Sequence, residues 1–578
     1  MLARPPLLVR LLGTAVILLL VVVGGSGEPN RPAPTGNAAV MGMRFGPLAG
    51  ARLVSAGAAP PTTAQCKARS HVACYGVAQV QTAYDLSPLF HAGYTGTGRT
   101  IAVMDLYGSP TISRDLAAFD AAMHLSAPPR LTVIQPAGPV PPYRASGARP
   151  GWALETSLDV EWAHAIAPGA AILLVEAPTP GNSDGTAQIV AAERYVIDHH
   201  LADVISQSFG TAEPDAPRPE VMSLRSVYVD AQQHHVSVLA ATGDQGATQN
   251  SGNGGYFMNR VSSWPATDPL VTAVGGTELH LDASGRRTSP DTAWNDTYLS
   301  HPPAPSATGG GLSVYFPRPY FQNGVAGVVG NHRGVPDIAM SAANSGSVLV
   351  YASFPGVQAG WYPVGGTSEA TPLFAAVVAI ADQYAGADLG LINPALYSMY
   401  YAHATGLVDV TRGNNTVSFT QGGTAYTVVG YPARARYDLV SGVGTINAGT
   451  FVPELAATAP YVRTISYTYA NPCSVTVHSP TGTTADVANC PTADTITVQP
   501  SDRYLTVSIV DATGSPVPFS WGTSGISSTA VQVICGATRD MRVAGGSYTL
   551  APAIPVGDPA CPLPATKGTV TVRLSNYP

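Results

Sequence analysis

Short apolar runs alternate with helical stretches between about residues 75 and 457, and this alternation constrains the fold more than any other feature. The runs lack the apolar–polar alternation of a strand with one exposed face, so both faces are expected to be covered. They predict strands at Thr100–Met104, Ala171–Val175, Asp203–Gln207, Val236–Ala240 and Val271–Val274. The stretches around them predict helices at Ile112–Ala122, Leu154–Ala165, Thr186–His199 and Pro219–Gln233. The sequence therefore predicts an α/β fold with a mostly parallel central sheet flanked by helices.

The composition excludes some classes of protein and disfavours others. Hydrophobic residues make up 45% of the 578 residues, which excludes a chain that is disordered throughout. Charged residues make up 11%, the net charge is −7 and no basic tract occurs, so no nucleic-acid partner is expected. A surface with few carboxylates gains little net charge as the pH falls, which limits self-repulsion in acid. This suits an acidic setting, although an exported protein that works at neutral pH can have the same composition.

Residues 1–27 have the pattern of a signal peptide, with Arg4 and Arg10 before the apolar stretch Leu11–Gly25. That stretch is shorter than the roughly 20 apolar residues of a membrane-spanning helix. We therefore expect a secreted, extracellular protein, with an uncleaved signal anchor at the cell surface as the alternative. Residues 28–72 are rich in Pro, Ala and Gly and are expected to form a linker or a short pro-region.

Residues 459–578 have a different texture, in which Val, Thr, Ser and Tyr alternate with Gly and Pro. This pattern predicts an antiparallel, β-sandwich-like accessory domain after the α/β domain at 73–458. Contact with a cell wall or glycan is one role that such a domain could have. An even number of cysteines in an exported chain indicates disulfides. Cys66 is expected to pair with Cys74, and two further disulfides are expected among Cys473, Cys490, Cys535 and Cys561.

A glycine turn, Gly365-Gly366, brings Ser368 to the start of an apolar helix. The backbone N–H groups at a helix N-terminus lack intrahelical partners and favour negative charge. This environment suits a nucleophilic hydroxyl whose attack creates an oxyanion. In the alternative interpretation, Ser368 is only an N-cap residue.

Glu155 and Asp159 lie one turn apart in the predicted helix 154–165. Side chains at this spacing are about 5–6 Å apart at Cβ, so two ionised carboxylates would repel each other. A shared proton raises one of the two pKa values, and a carboxyl can then act as a base in acid. Taken alone, the pair is explained more simply as part of a solvated helix face, with Glu161 as a third acid.

Asp244 follows the predicted strand Val236–Ala240 within the segment ATGDQGA. The carboxyl ends of parallel strands are where sites form in α/β sheets. In isolation, a turn residue that precedes glycine is the simpler interpretation.

These segments, in this order, resemble the sedolisin family of serine-carboxyl peptidases, which has kumamolisin-like and tripeptidyl-peptidase-like members. Glu155 and Asp159 match the E-x-x-x-D of the family's catalytic helix. Further matching segments are VISQSFG, ATGDQGA, WPATDPLVTAVGGT, ATGGGLSVYFPRPYFQ, RGVPDIA, GGTSEATPLFA and LINPALY. The resemblance covers about residues 75–457 and implies a subtilisin-like fold for a peptidase domain at 73–458.

The resemblance implies a role for each matched residue. Ser368 would be the nucleophile, Glu155 the general base, and Asp159 the residue that orients Glu155. Asp244 would be protonated and would donate to the oxyanion beside the Ser368 N–H. A neutral Asp244 and a carboxylate base both confine activity to acid pH. The implied protein is a secreted, acid-acting endopeptidase that forms an acyl-enzyme, acts on proteins or peptides and is expected to be a monomer.

The resemblance also implies one structural Ca²⁺ ion, for which oxygen ligands are suited. The segment from Val408 to Asn414 resembles the family's D-I/V-T-x-G-x-N, and the segment that contains Asp438 resembles its G-W-D-x-x-T-G-x-G. The implied ligands are the carboxylates of Asp409 and Asp438 and the carbonyls of Val410, Arg434 and Arg436. Both arginines stand where the family has glycine, and their charge is expected to weaken the site.

The sequence also leaves other functions open and departs from the family at some positions. A tripeptidyl-peptidase is the alternative within the family, and a catalytically silent cell-surface binding protein is the alternative from another class. A His-dependent subtilisin would work near neutral pH and would depend on His164. Phe209 replaces the family's Trp, and Asp105 stands where some members carry an acid that extends the catalytic network.

Overall fold

The computed structural model describes residues 52–178, 184–252 and 254–458, and beyond residue 458 it describes the backbone of the strands given below. The helices are α1 (Thr63–Ser70), α2 (Val77–Ala83), α3 (Ser87–His91), α4 (Ile112–Met123), α5 (Arg149–Ile166), α6 (Asp184–Asp198), α7 (Arg218–Leu224), α8 (Ser226–Gln233), α9 (Ala326–Val329), α10 (Thr367–Ala385), α11 (Asn393–Tyr401) and α12 (Ala448–Thr458). Short 3₁₀ helices are Glu213–Asp215, Thr297–Leu299 and Tyr320–Val325.

The strands up to residue 458 are β1 (Ala73–Tyr75), β2 (Thr100–Leu106), β3 (Leu131–Ile134), β4 (Ala171–Ala177), β5 (Val204–Gln207), β6 (Thr211–Ala212), β7 (Ser237–Ala241), β8 (Ser263–Trp264), β9 (Thr272–Glu278), β10 (Thr292–Ala293), β11 (Gly311–Pro317), β12 (His332–Val335), β13 (Ile338–Ser341), β14 (Gly346–Ala352), β15 (Gly360–Val364), β16 (Leu407–Val408), β17 (Val417–Gln421), β18 (Thr424–Val428) and β19 (Thr445–Ile446). Those beyond it are β20 (Val462–Ala470), β21 (Ser474–His478), β22 (Thr484–Ala488), β23 (Asp494–Val498), β24 (Tyr504–Asp511), β25 (Trp521–Thr523), β26 (Gln532–Val533), β27 (Asp540–Arg542), β28 (Gly546–Pro552) and β29 (Gly568–Ser575).

The central sheet has the strand order β10-β9-β7-β5-β2-β4-β3, and β13 pairs with β9. All of its pairs are parallel except the edge pair β10–β9. The five predicted strands are all members of this sheet, so the mostly parallel sheet is confirmed. From β2 the chain first builds one side through β3 and β4, and then builds the other side through β5, β7 and β9. The order therefore reverses between β2 and β5, and ligand sites in such sheets form outside the strand ends at this point.

Two helices that carry predicted site residues are buried over most of their length. Helix α10 is buried from Thr367 to Asp382 and packs against α5 and strands β5, β7, β9 and β13. Helix α5 is buried from Trp152 to Ile166 and also contacts β14 and α4. The apolar sequence that follows Ser368 is explained by this burial, because a helix covered on all sides has no polar face.

Two predictions differ from the structure. The helix predicted at Pro219–Gln233 is two helices, α7 and α8, which meet at Arg225. The Arg225 backbone keeps helical angles, with φ −54° and ψ −20°, and its side chain donates to Asp268. Residues 52–72 are folded rather than a linker. Val54 donates to the carbonyl of Trp361 (2.9 Å), and Cys66 and Cys74 form a disulfide that ties α1 to β1.

The region beyond residue 458 contains antiparallel sheets, as the alternating sequence predicted. One has the order β22-β21-β20-β29-β24-β27 and the other β23-β28-β25-β26. The predicted signal peptide and the four cysteines expected to form two further disulfides lie outside the described residues. Within the described part of the chain, no helix has the length and apolar character required to cross a membrane.

A buried carboxyl links α6 to the central sheet. Glu193 is fully buried and accepts a 2.5 Å hydrogen bond from the side chain of Gln207 in β5. Burial raises the pKa of Glu193 from its ordinary 4.5 to about 8, although the charge of Arg194 opposes this change. The folded chain therefore keeps a proton that the unfolded chain has lost between these two pH values. The stability that this group contributes is fully present below pH 4.5 and falls as the pH rises towards 8.

We expect Glu193→Gln to remove this loss, because glutamine can accept the bond from Gln207 and cannot ionise. Variant and wild type should unfold alike at pH 4, and the variant should be the more stable by up to a few kcal/mol at pH 8, at roughly 1.4 kcal/mol per pH unit. Denaturant unfolding at both pH values measures this. Asp198→Asn, at an exposed position on the same helix, is the control. An equal loss of stability with pH in Glu193→Gln and wild type would contradict the prediction.

Candidate active site

Three residues of the site lie at or just after the carboxyl ends of strands near the point where the strand order reverses. Asp105 lies near the carboxyl end of β2, Ser208 directly follows β5, and Asp244 follows β7 after a short turn. Because these strands are parallel, their carboxyl ends lie at one edge of the sheet. The fold thus explains why residues far apart in sequence come together here.

Ser368 is held in place by the turn that precedes α10. Gly366 has a φ of 121°, and a Cβ atom there would lie 2.8 Å from Asp244 Oδ2, so only glycine fits beside this carboxyl. The N–H of Gly366 donates to the carbonyl of Ala342 (2.6 Å), which anchors the turn to the end of β13. Ser368 is then the second residue of the helix, where backbone N–H groups lack intrahelical partners.

Pro372 frees one acceptor beside Ser368. Proline has no N–H and cannot make the helical bond to the residue four positions earlier, which is Ser368. The hydroxyl of Ser208 lies 3.4 Å from the Ser368 carbonyl and also donates to Asp159 Oδ1 at 2.9 Å. Ser208 therefore connects the helix of Ser368 to the helix of Asp159.

Glu155 lies in a region where the nearest charges are other carboxyl groups. It is 7% exposed, and burial raises its pKa well above the ordinary value, with further increases from Asp159, Asp105 and Asp244. The hydroxyl of Ser368 is close enough to oppose this rise. However, neither Ser368 Oγ nor Glu155 Oε1 has a well-aligned hydrogen-bond partner. Such loose geometry is common in sites without substrate and tightens when substrate binds.

Asp159 and Asp105 continue the group of buried carboxyls. Burial raises both pKa values well above the ordinary range, and the charge of Asp105 raises that of Asp159 further. Asp105 accepts hydrogen bonds from the hydroxyl of Thr156 and from the N–H of Leu106. Because the charge of Asp159 raises the pKa of Glu155, these two carboxyls titrate as a pair.

Asp244 is fixed by Thr367, the residue just before Ser368. Its Oδ1 accepts from both the N–H and the hydroxyl of Thr367, each at 2.8 Å. These bonds stabilise the charged form, but burial has the larger effect and raises the pKa of Asp244 to about 6. A carboxyl with this pKa is protonated in acid and can then donate a hydrogen bond.

Glu155, Asp244 and Gly366 all line one cavity of about 350 Å³. The remaining lining consists of uncharged residues, which include Leu154, Trp294, Asn344 and residues of segments 250–251, 254–256 and 300–306. The cavity therefore provides a space for substrate next to the carboxyls of Glu155 and Asp244 and next to the start of α10.

Two further residues that the sequence singled out, His164 and Phe209, lie away from the hydrogen bonds around Ser368. His164 is fully buried, and its Nε2 contacts the carbonyl of Ser126 (2.9 Å) and a carboxylate oxygen of Asp120 (3.3 Å). It takes no part in the hydrogen bonds around Ser368 described above. Phe209 is buried in the core beneath the sheet edge. Sequence reasoning missed the roles of Ser208 and Thr367, although both lie in motif segments next to residues that it singled out.

The two aspartates predicted to bind calcium converge on one short segment. Asp409 Oδ2 accepts from the N–H of Arg436, and Asp438 Oδ2 accepts from the N–H of Arg434, both at 2.7 Å. Arg436 has a φ of 73°, the left-handed conformation that glycine adopts more easily. Among the described residues, no group of three or more His, Cys, Asp or Glu side chains is placed to hold a metal ion. An ion here would depend on two carboxylates and backbone carbonyls, which are the hard oxygen ligands that Ca²⁺ accepts.

Comparisons with known proteins agree with this geometry. A model of the subtilase family matches residues 151–423. Kumamolisin from Bacillus sp. (strain MN-32) is 33% identical over 336 residues, which are 57% of this chain and 56% of kumamolisin. Sedolisin from Pseudomonas sp. (strain 101) is 28% identical over 384 residues, which are 66% of this chain and 60% of sedolisin. The chain thus spans less than two thirds of the length of these curated relatives.

A solved structure is also similar. It is Pseudomonas sedolisin, a serine-carboxyl proteinase, in complex with two molecules of pseudo-iodotyrostatin. The match has a TM-score of 0.57 and 25% sequence identity, and it covers 67% of this chain and 99% of that one. The subtilisin-like fold implied by the sequence is therefore confirmed.

We expect Thr367→Val to raise the pKa of Asp244 above about 6, because the lost hydroxyl donor stabilises the ionised carboxyl. The expected rise is about one pH unit, which corresponds to roughly 1.4 kcal/mol. A ¹³C NMR titration of the Asp244 carboxyl measures it without any assay of activity. Thr371→Val is the matched control, because the Thr371 hydroxyl donates to the Thr367 carbonyl within the same helix. An unchanged or lower pKa in Thr367→Val would show that the hydroxyl does not stabilise the ionised form.

Proposed function

We propose that the chain is a serine-carboxyl peptidase of the sedolisin family and that it hydrolyses peptide bonds in acid through Ser368, Glu155 and Asp159. The observation that carries the proposal is the shared cavity, where Glu155 and Asp244 face the start of the helix that bears Ser368. Relatives that carry the names sedolisin and kumamolisin support the same reaction.

In the first step, the Glu155 carboxylate takes the proton of the Ser368 hydroxyl while Ser368 Oγ attacks the carbonyl carbon of the scissile bond. The carbonyl π electrons move to oxygen and give a tetrahedral oxyanion. We assign to Asp159 the role of orienting the base, because it accepts from Ser208 and its charge raises the pKa of Glu155. Holding these groups in fixed positions lowers the entropic part of the barrier.

The oxyanion needs donors that are in place before the reaction begins. The protonated carboxyl of Asp244 and the N–H of Ser368 supply them, and the helix N-terminus adds a favourable dipole. When the carbonyl re-forms, the C–N bond breaks and the proton on Glu155 passes to the leaving amine. Water then attacks the acyl-enzyme by the same route, with Glu155 again as the base.

This chemistry requires acid because Asp244 acts only while it is protonated. As the pH rises through about 6, Asp244 loses the proton that it donates, and its negative charge then opposes the oxyanion. At the lower limit, the Glu155–Asp159 pair must lose one proton before Glu155 can act as a base. Activity is therefore confined between the titration of the pair and the titration of Asp244.

The cavity favours an endopeptidase over a tripeptidyl-peptidase, although some relatives are tripeptidyl-peptidases by name. An enzyme that removes three residues from a free N-terminus needs an anionic group to bind the N-terminal ammonium group of the substrate. Among the described residues that line the cavity, the only carboxyls are Glu155 and Asp244, and the reaction uses both. Equal cleavage of a peptide before and after N-acetylation would support the endopeptidase, and loss of cleavage on acetylation would support the alternative.

We expect Ser368→Ala to lower kcat at least about a thousandfold without a change in fold, since the nucleophile is removed. Asp244→Ala should lower kcat by about 10²–10³, the usual cost of a lost oxyanion donor. Asp244→Asn keeps a neutral donor that cannot ionise, so it should retain more activity and continue to work above pH 6. Cleavage of a denatured protein between pH 2 and 8 measures all three.

His164→Gln is the control, because His164 lies with Asp120 and Ser126. A folded His164→Gln variant that keeps its activity agrees with the proposal. An activity peak near neutral pH that is lost in this variant would instead support the His-dependent alternative. Folded wild type that cleaves no more than Ser368→Ala at any pH would support the binding-protein alternative.

We also propose that Asp409, Asp438 and the carbonyls of Val410, Arg434 and Arg436 hold a Ca²⁺ ion. The convergence of both carboxylates on segment 434–438 supports this. The ion would join two segments of the chain and take no part in the reaction. Its attachment to the folded state alone would stabilise the protein by mass action.

We expect Ca²⁺ to raise the Tm of EDTA-treated protein, by an amount equivalent to about 2.7 kcal/mol at a hundredfold excess over Kd. Asp409→Asn should lose most of this response, because asparagine can still accept from Arg436 but carries no charge. Mg²⁺, which prefers stricter octahedral geometry, is the control ion. A Tm that does not respond to Ca²⁺ would overturn this assignment.

Secretion is a further proposal. The charged and apolar pattern of residues 1–27 supports it, and so does the Cys66–Cys74 disulfide, because such bonds persist in oxidising surroundings. Recovery of the chain from culture medium, with an N-terminus later than residue 1, tests the proposal directly.

A further inference from the structure

The hairpin β17–β18 lies beside the cavity but outside the catalytic helices. Its strands pair from Val417↔Val428 to Gln421↔Thr424 and are joined by Gly422-Gly423. Both glycines have positive φ, at 58° and 80°, as the favoured two-residue hairpin turn requires. This hairpin belongs neither to the central sheet nor to the elements that carry Ser368, Glu155 or Asp244.

Residues 250–252 and 254–256, which we call the cleft turn, form part of the cavity wall. An isolated antiparallel bridge joins Asn250 to Tyr256, and the backbone N–H of Ser251 donates to the carbonyl of Gly255 at 2.7 Å. Asn250, Ser251, Gly254, Gly255 and Tyr256 all line the cavity with Glu155 and Asp244. The position of this turn therefore contributes directly to the shape of the space that a substrate enters.

Gln421, at the end of β17, binds the backbone of the cleft turn. Its side-chain Oε1 accepts from the N–H of Tyr256 at 2.7 Å, and its Nε2 is placed to donate to the Tyr256 carbonyl at 3.5 Å. The Gln421 side-chain amide thus contacts the N–H and the carbonyl of Tyr256, as the backbone of an adjacent strand would. A Cβ at Gly255 would lie 2.3 Å from Gln421 Oε1, so a side chain there would displace the Gln421 amide.

Apolar contacts place the rest of the hairpin against the same wall. The rings of Phe419 and Tyr256 pack with centroids 4.9 Å apart. A Cβ at Gly246 would meet Val417 Cγ1 at 2.5 Å, and Gly246 follows Asp244 by two residues. The hairpin therefore supports both the cleft turn and the segment that carries Asp244.

We propose that Gln421 is a positioning residue that fixes the cleft turn against the β17–β18 hairpin and thereby sets which substrate side chains the cleft accepts. Gln421 itself is not part of the cavity lining, so it acts through the turn. This inference rests on the proposed peptidase function for its effect on substrates, while the positioning itself does not depend on that function.

The chemistry of the turn indicates the class of side chain that it accepts. It presents an amide, a hydroxyl, glycine backbone and the ring of Tyr256 to the cavity. None of these groups carries a charge, so a charged side chain packed against this wall would find no counter-charge on it. The wall that Gln421 positions therefore favours an uncharged side chain and discriminates by size.

The test compares Gln421→Met with Ser418→Ala. Methionine has a similar length and cannot make either bond to Tyr256. Ser418→Ala removes a cross-strand bond to Thr427 on the same hairpin and leaves the cleft turn untouched. Each variant is assayed with two uncharged peptides that differ only in the size of one side chain, and the exchange rate of the Tyr256 amide hydrogen is measured.

We expect Gln421→Met to speed exchange of the Tyr256 amide, to raise KM about five- to tenfold with kcat within about twofold, and to reduce discrimination between the two peptides. Ser418→Ala should change none of these. Unchanged exchange in Gln421→Met would overturn the positioning role. Faster exchange with unchanged KM and discrimination would overturn the effect on substrate choice. Wild type that is inactive on every peptide would refute the peptidase function, and the exchange rates would still decide the positioning role.

Discussion

The structure depends on the burial of carboxyl groups beside one another rather than beside cations. Asp105, Glu155 and Asp159 each lose most of their hydration, and their charges act on one another across the same dry region. In such surroundings the least costly state is the one in which some of the carboxyls keep their protons. The packing of α5 and the sheet edge therefore raises the pKa values of these carboxyls, and the proposed reaction uses the resulting proton equilibrium.

The sheet topology explains why so few contacts are needed to assemble the site. The strand order reverses between β2 and β5, so segments after β2, β5 and β7 reach one edge, and helices α5 and α10 pack against that edge. Each important side chain is held by a different element: Asp159 by Ser208, Asp244 by Thr367, and the Ser368 turn by Ala342. Rigid strands and helices fix these positions more precisely than loops would.

Sequence reasoning predicted the central strands because short apolar runs without alternation are typical of strands that are buried on both faces. It brought Glu155, Asp159, Asp244 and Ser368 forward mainly through the ordered set of motifs. It failed where distant contacts decide the outcome. The helix over 219–233 is divided at Arg225, whose side chain donates to Asp268 in a distant segment. Residues 52–72 have a linker-like composition, yet Val54 pairs with Trp361. Gly422-Gly423 is a readable hairpin signal, but nothing local shows that Gln421 reaches Tyr256.

The hydrogen bonds that hold the site join residues far apart in sequence, and this determines when the site forms during synthesis. Thr367 and Asp244 are 123 residues apart in the chain, and Gln421 and Tyr256 are 165 apart. Contacts of such high sequence separation form late, because a long loop must close before they contribute any stability. During synthesis, Glu155 and Asp244 leave the ribosome well before Ser368, and the supporting hairpin follows later still. A growing chain of this protein therefore has no complete cleft until most of the domain has been made, so the proposed hydrolysis cannot begin before then.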